Sequence, residues 1–126
     1  MPRLPLAFFS AATLCALGGM TWGVIMAASN DHGMMTAHAH LNLMGWATLA
    51  LMGGFYALTG KGGRLGWINF ALSASGVVVA IPSLALLLTG NKAAEAGATA
   101  GSLLALLGML VFLVVVLSGW RDAKTA

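Results

Sequence analysis

His38 and His40 stand two residues apart in the segment Thr36-Ala37-His38-Ala39-His40-Leu41-Asn42-Leu43-Met44-Gly45-Trp46, inside a run from Gly33 to Gly60 that contains no Asp, Glu, Lys or Arg. Each imidazole carries a donor and an acceptor that hydrocarbon cannot satisfy. An ionisable side chain in such a run reads as a functional site, and the commonest reason for a histidine there is a metal or haem iron. The spacing narrows the chemistry. Two residues along a helix is about 200° of rotation, so the rings leave opposite faces and cannot chelate one ion together. A zinc site on one helix wants ligands three or four residues apart, with Cys or carboxylate partners that are missing here. A single imidazole ligating haem iron axially needs no partner on its own face.

The two faces differ in composition. The His40 side continues through Met44, Ala47, Leu51 and Gly54, small and apolar, a stripe along which a porphyrin plane can lie. The His38 side continues through Asn42, Gly45, Leu49 and Met52 and is more polar. His40 is therefore expected as the axial ligand of haem b. His38 is expected to bond across helices, bind a second metal or tune the first site through its surroundings. For the sixth iron position Met26 lies at about the depth of His40, and a His40 from a second chain or His32 would serve equally. Of eight methionines, Met26, Met34, Met35 and Met44 lie at a suitable depth, and the rest read as apolar filler. His32, Met34 and Met35, with His38, also offer soft ligands for copper. A histidine that merely hydrogen-bonds a neighbouring helix is the plainer alternative for both positions.

The elements that must position these residues follow from composition. Of 126 residues 60% are hydrophobic and only 7% charged, far below the roughly 25% of soluble domains. Four stretches lack Asp, Glu, Lys and Arg: Leu4 to Asn30, His32 to Gly60, Leu65 to Asn91 and Ala96 to Trp120. Each exceeds the roughly 20 residues that a helix needs to cross a bilayer. The chain is thus expected to be an all-α, single membrane domain, a bundle of four transmembrane helices over about 4–28, 36–59, 65–89 and 95–120. The apolar N-terminus resembles a signal peptide, but its uncharged run is longer than a usual signal core and is retained as the first helix. With the N-terminus, second loop and C-terminus on one side, that side holds Arg3, Lys61, Arg64, Arg121 and Lys124, against Lys92 alone on the other. This bias predicts both termini in the cytoplasm and the histidines near the outer end of the second helix. It also accounts for the net charge of +3, so nothing points to nucleic acid.

Local signals fill in the bundle. Asn30-Asp31-His32-Gly33 predicts a short outer turn, Thr36 a helix cap, and Gly60-Lys61-Gly62-Gly63-Arg64 the inner loop. Tyr56, Trp67 and Trp120 are expected at the inner interface. Gly19 and Gly23 form a small-xxx-small pair, and Gly97, Gly101 and Gly108 share one stripe, so both are close-contact seams. Packing within the bundle is the first reading of these seams; the alternative, a homo-oligomer, could share a cofactor across a twofold axis. Pro82 is expected to kink the third helix and open space beside it. Cys15 has no partner for an intrachain disulfide and reads as a small buried apolar residue.

The stretch from Thr36 to Leu43 resembles the second helix of the catalytic subunit (subunit I) of haem-copper oxidases and nitric oxide reductases. In that family a histidine at the outer end of this helix, often followed by a Leu-polar-Leu pattern, ligates the low-spin haem; here that is His40 with Leu41-Asn42-Leu43. The resemblance covers about twenty residues and at most four of the family's twelve helices. Helices three and four hold no histidine, so the family's second axial ligand, copper triad and high-spin haem ligand have no matching positions. The resemblance therefore implies a haem-binding element and not an oxygen reductase in this chain alone. The expectation is a b-type cytochrome of a bacterial-type inner membrane, for electron transfer or diatomic gas sensing. A copper-handling protein and a non-catalytic accessory subunit are the alternatives, and whether the chain is an enzyme stays open.

Overall fold

The computed structural model describes residues 2–125, with side chains through residue 123, so the side chain of Lys124 lies outside the described set. Among the described residues there is no strand, and four helices are long and apolar enough to cross a membrane. These are α1 (Arg3–Ser29), α2 (Met35–Thr59), α3 (Gly63–Leu88) and α4 (Glu95–Thr125), the last entered through a 3-10 turn at Lys92–Ala94. Neighbours in sequence run antiparallel, so an even number of spans brings both termini to one end. That end is called inner here, after the charge bias, and the other outer.

The turns follow their chemistry. Asn30 ends α1 with φ 57°, the left-handed geometry that asparagine tolerates, and the Asp31 carboxylate accepts the Gly33 N–H at 3.0 Å. Gly60 ends α2 with φ 65°. Two local expectations are corrected. Gly63 and Arg64 belong to the first turns of α3, where the Gly66 N–H already bonds the Gly62 carbonyl at 2.8 Å. Thr36 caps nothing: it lies inside α2, no side chain caps that helix, and the Thr36 carbonyl is used by His40 instead.

The helices associate as two pairs. α3 and α4 make the most extensive contact, through glycines that admit backbone against backbone. A Cβ on Gly76 would stand 2.7 Å from the Ala105 nitrogen, and the Gly97, Gly101 and Gly108 stripe meets Ser83, Ala80 and Ser73. Buried Asn69 ties the same pair by donating to the Gly108 carbonyl at 3.2 Å, which satisfies both groups in a solvent that offers no water. α1 pairs with α2. At the inner end all four helices meet in one apolar cluster of Leu4, Phe8, Leu49, Met52, Tyr56 and Val115, with edge-to-face rings at Phe8–Phe70 (5.1 Å) and Phe55–Phe112 (5.2 Å). Tyr56, expected at the interface, is 1% exposed and belongs to this core, whereas Trp67 and Trp120 are exposed.

Candidate functional site: the histidine turn of helix two

α2 does not keep one helical form. Met35–His40 and Leu49–Thr59 are α-helical, but Leu41–Thr48 between them is π-helical, with i→i+5 bonding. Two contacts accompany the wider turn. Gly45 lies against Cys15 of α1, where a Cβ would stand 2.7 Å from both Cβ and Sγ. The Thr48 hydroxyl donates to the Leu43 carbonyl at 2.7 Å, five residues back. π-helical turns inside α-helices are rare and frequent at functional sites, and this one begins at the residue after His40.

His38 is turned inward. Its ring packs on Gly23, where a Cβ would stand 3.1 Å from Cε1, and Asn42 Nδ2 lies 3.3 Å from Nε2. Asn42 itself fills the space over Gly19. The small pair on α1 is thus the socket for a His–Asn pair four residues apart on α2. The more polar stripe of α2 faces the protein, as the bilayer requires of groups that it cannot hydrogen-bond. Farther down the same stripe Gly45, Leu49, Met52 and Tyr56 are all buried.

His40 is turned outward and is exposed. Its Nδ1 lies 2.8 Å from the Thr36 carbonyl. A carbonyl only accepts, so Nδ1 carries the proton and the lone pair of the neutral ring is on Nε2. Histidine ligands are set up in this way, with one nitrogen donating to a backbone carbonyl and the other free for the metal. Five residues into α2, the His40 Cα lies about 8 Å below the outer end of the helix, and the ring reaches back toward Thr36 in the first turn. Beneath it Met44 and Ala47 are half-buried, Leu51 is 75% exposed, and Gly54 has open space around it.

The remaining candidates are dispersed. Met26 is buried on the α1 stripe that carries Gly19 and Gly23, whose partners on α2 are Asn42 and His38 and not His40. His32 and Met35 are exposed in and beside the outer turn, closed by the Met35 N–H on the His32 carbonyl at 3.1 Å, and Met34 is half-buried there. No group of three or more His, Cys, Asp or Glu among the described residues is placed to hold a metal ion. A groove of about 330 Å³ opens where Pro82 was expected to make room, lined by Leu14, Cys15, Leu41, Val77, Ile81 and Pro82. It reaches Leu41 but not His40. What the described residues offer a haem is therefore one exposed imidazole, oriented by the Thr36 carbonyl, on an apolar flank and without an enclosing pocket. Sequence reasoning missed the π-helical turn and the socket role of Gly19 and Gly23 toward His38; only the glycine spacing hinted at the second. No family model matches the chain, and no curated protein or solved structure does.

Proposed function

We propose that the chain is a small b-type cytochrome of a bacterial-type inner membrane, both termini cytoplasmic, that holds haem b through His40 for electron transfer or diatomic gas sensing. One observation carries the reading: the Thr36 carbonyl fixes the His40 tautomer and leaves the lone pair on Nε2 of an exposed ring, in an uncharged span. Haem bound there would supply a one-electron couple and, with a coordination position open, a site for a diatomic gas. The chain's own residues orient the ligand and, through Met44, Ala47 and Leu51, offer an apolar flank.

The exposure of His40 also bears on the second ligand. Met26 is committed to the inward stripe, and both glycine seams are filled within the chain, so neither draws copies together. A second copy that presented its own His40 across a twofold axis would supply enclosure and a further ligand at once. The copper alternative needs His32, Met34, Met35 and His38 together, and it draws less support because the half-buried His38 ring packs on Gly23 and lies beside Asn42.

A reduced-minus-oxidised absorbance spectrum of the detergent-purified protein, with and without carbon monoxide, tests this together with its mass in solution. The expected result is a b-type spectrum, insensitive to carbon monoxide, at one haem per two chains. A carbon monoxide shift in a monomer would keep the haem and overturn the shared ligation. Colourless protein from haem-replete cells overturns the cytochrome reading; bound copper would then favour metal handling, and metal-free protein an accessory subunit.

A further inference from the structure

At the inner end a second feature stands apart from the histidine turn. Between the C-terminal ends of α2 and α4 lies an open groove of about 420 Å³, lined by Phe55, Thr59, Lys61, Val116, Gly119 and Trp120. Its lining is almost wholly apolar below the mouth, and the edge-to-face contact of Phe55 with Phe112 backs its floor. Gly119 distinguishes it from the seam. Gly97, Gly101 and Gly108 each face α3, whereas the nearest atom to a Cβ on Gly119 would be the Lys61 ammonium at 3.7 Å. The absent side chain at 119 thus keeps width under a cation, where no helix needs it.

The mouth carries a positive excess. Lys61 stands there, and the same end carries Arg3, Arg64 and Arg121 against Asp122 among the described side chains. The two grooves at the outer end of α4 are lined by Glu95, alone or with Lys92, and have no positive excess. Lys61 is paired with Asp122 at 2.5 Å, but the pair lies at the surface, with side chains 33% and 71% exposed. An ammonium has three donors, so a phosphate oxygen can join or replace the carboxylate. Trp120, 66% exposed, stands at the rim, the level at which tryptophan meets headgroups.

We propose that the inner groove between α2 and α4 binds an anionic phospholipid, one acyl chain along Phe55, Val116 and Gly119 and the phosphate at Lys61. The occupant must be apolar in its length and anionic at its inner tip, and the surrounding cations favour a negative headgroup over a zwitterionic one. The site is independent of haem.

Native mass spectrometry of the full chain, released from mixed micelles holding phosphatidylglycerol and phosphatidylcholine of identical acyl chains, tests the proposal. Wild type retains phosphatidylglycerol in preference. Lys61→Gln lowers that retention by about fivefold, the effect of one cation near an anionic surface, and leaves phosphatidylcholine unchanged. Gly119→Leu fills the groove and lowers retention of both lipids, with helical content by circular dichroism unchanged. Asp122→Asn raises phosphatidylglycerol retention, opposite in sign to Lys61→Gln, whereas a merely structural ion pair would send both variants the same way. Equal retention of the two lipids by wild type, same-direction effects of the two charge variants, or a non-lipid mass seated on the protein would overturn it.

Discussion

The two helix pairs solve close approach in different ways. Between α3 and α4, Gly76 and the Gly97, Gly101 and Gly108 stripe bring main chain against main chain, with Asn69, Ser73 and Ser83 as polar groups in the seam. Between α1 and α2, Gly19 and Gly23 admit not a backbone but the side chains of Asn42 and His38, and the facing helix widens into a π-helical turn. Along the glycine stripe of the first pair the described side chains that meet are small or neutral. The second spends its small residues on seating one histidine, and in doing so sets the rotation of α2 that turns the other outward. The contrast separates a pair that meets through backbone from a pair that seats a histidine.

The largest expected effect lies in the pair that meets through backbone. Gly101→Leu forces a side chain into the backbone of Ala80, where nothing can move aside, and should abolish recovery of monodisperse protein, as judged by size-exclusion chromatography in detergent. Gly19→Ala, by contrast, meets the end of the Asn42 side chain, which can rotate away, and should cost about 1 kcal/mol or less in a detergent unfolding titration. Equal losses from the two would erase the distinction between the seams.

Asn69→Ala sharpens the same comparison. It removes one interhelical hydrogen bond and should cost about 0.6 to 1.7 kcal/mol, measured in the same titration, without affecting any cofactor. Tyr56→Phe is the smallest effect and tests the inner core. The buried Tyr56 hydroxyl has no protein partner, so its removal should be neutral or stabilising by up to about 1 kcal/mol; a loss above that would mean that the hydroxyl is bonded after all.

Much of the scaffold is legible in the sequence, since gaps between charges mark the four spans and glycine spacing marks both seams. The inner and outer sides of α2 are legible too, because the 3.6-residue period separates the His38 stripe from the His40 stripe. Which of them faces the protein is decided by the bilayer, where the more polar stripe must turn inward. The π-helical turn is not legible: no residue from Leu41 to Thr48 demands it, and its accompaniments, Gly45 against Cys15 and the Thr48 hydroxyl on Leu43, are tertiary or appear only once the turn has formed. Tyr56 misleads because an aromatic ring near a span's end fits an interface anchor and a core residue equally by composition. Under the start of α3, Gly62 and Gly66 make room for Leu4, and Gly62 also for the edge of the Tyr56 ring.

The central claim is that the two histidines divide their work, His40 as ligand and His38 as packing. Haem content per chain, measured on purified His40→Ala and His38→Ala beside wild type, tests it most directly. The account predicts loss of haem absorbance in His40→Ala with a normal elution profile, and retained haem in His38→Ala with lowered stability. Haem retained without His40, or lost only without His38, would contradict it.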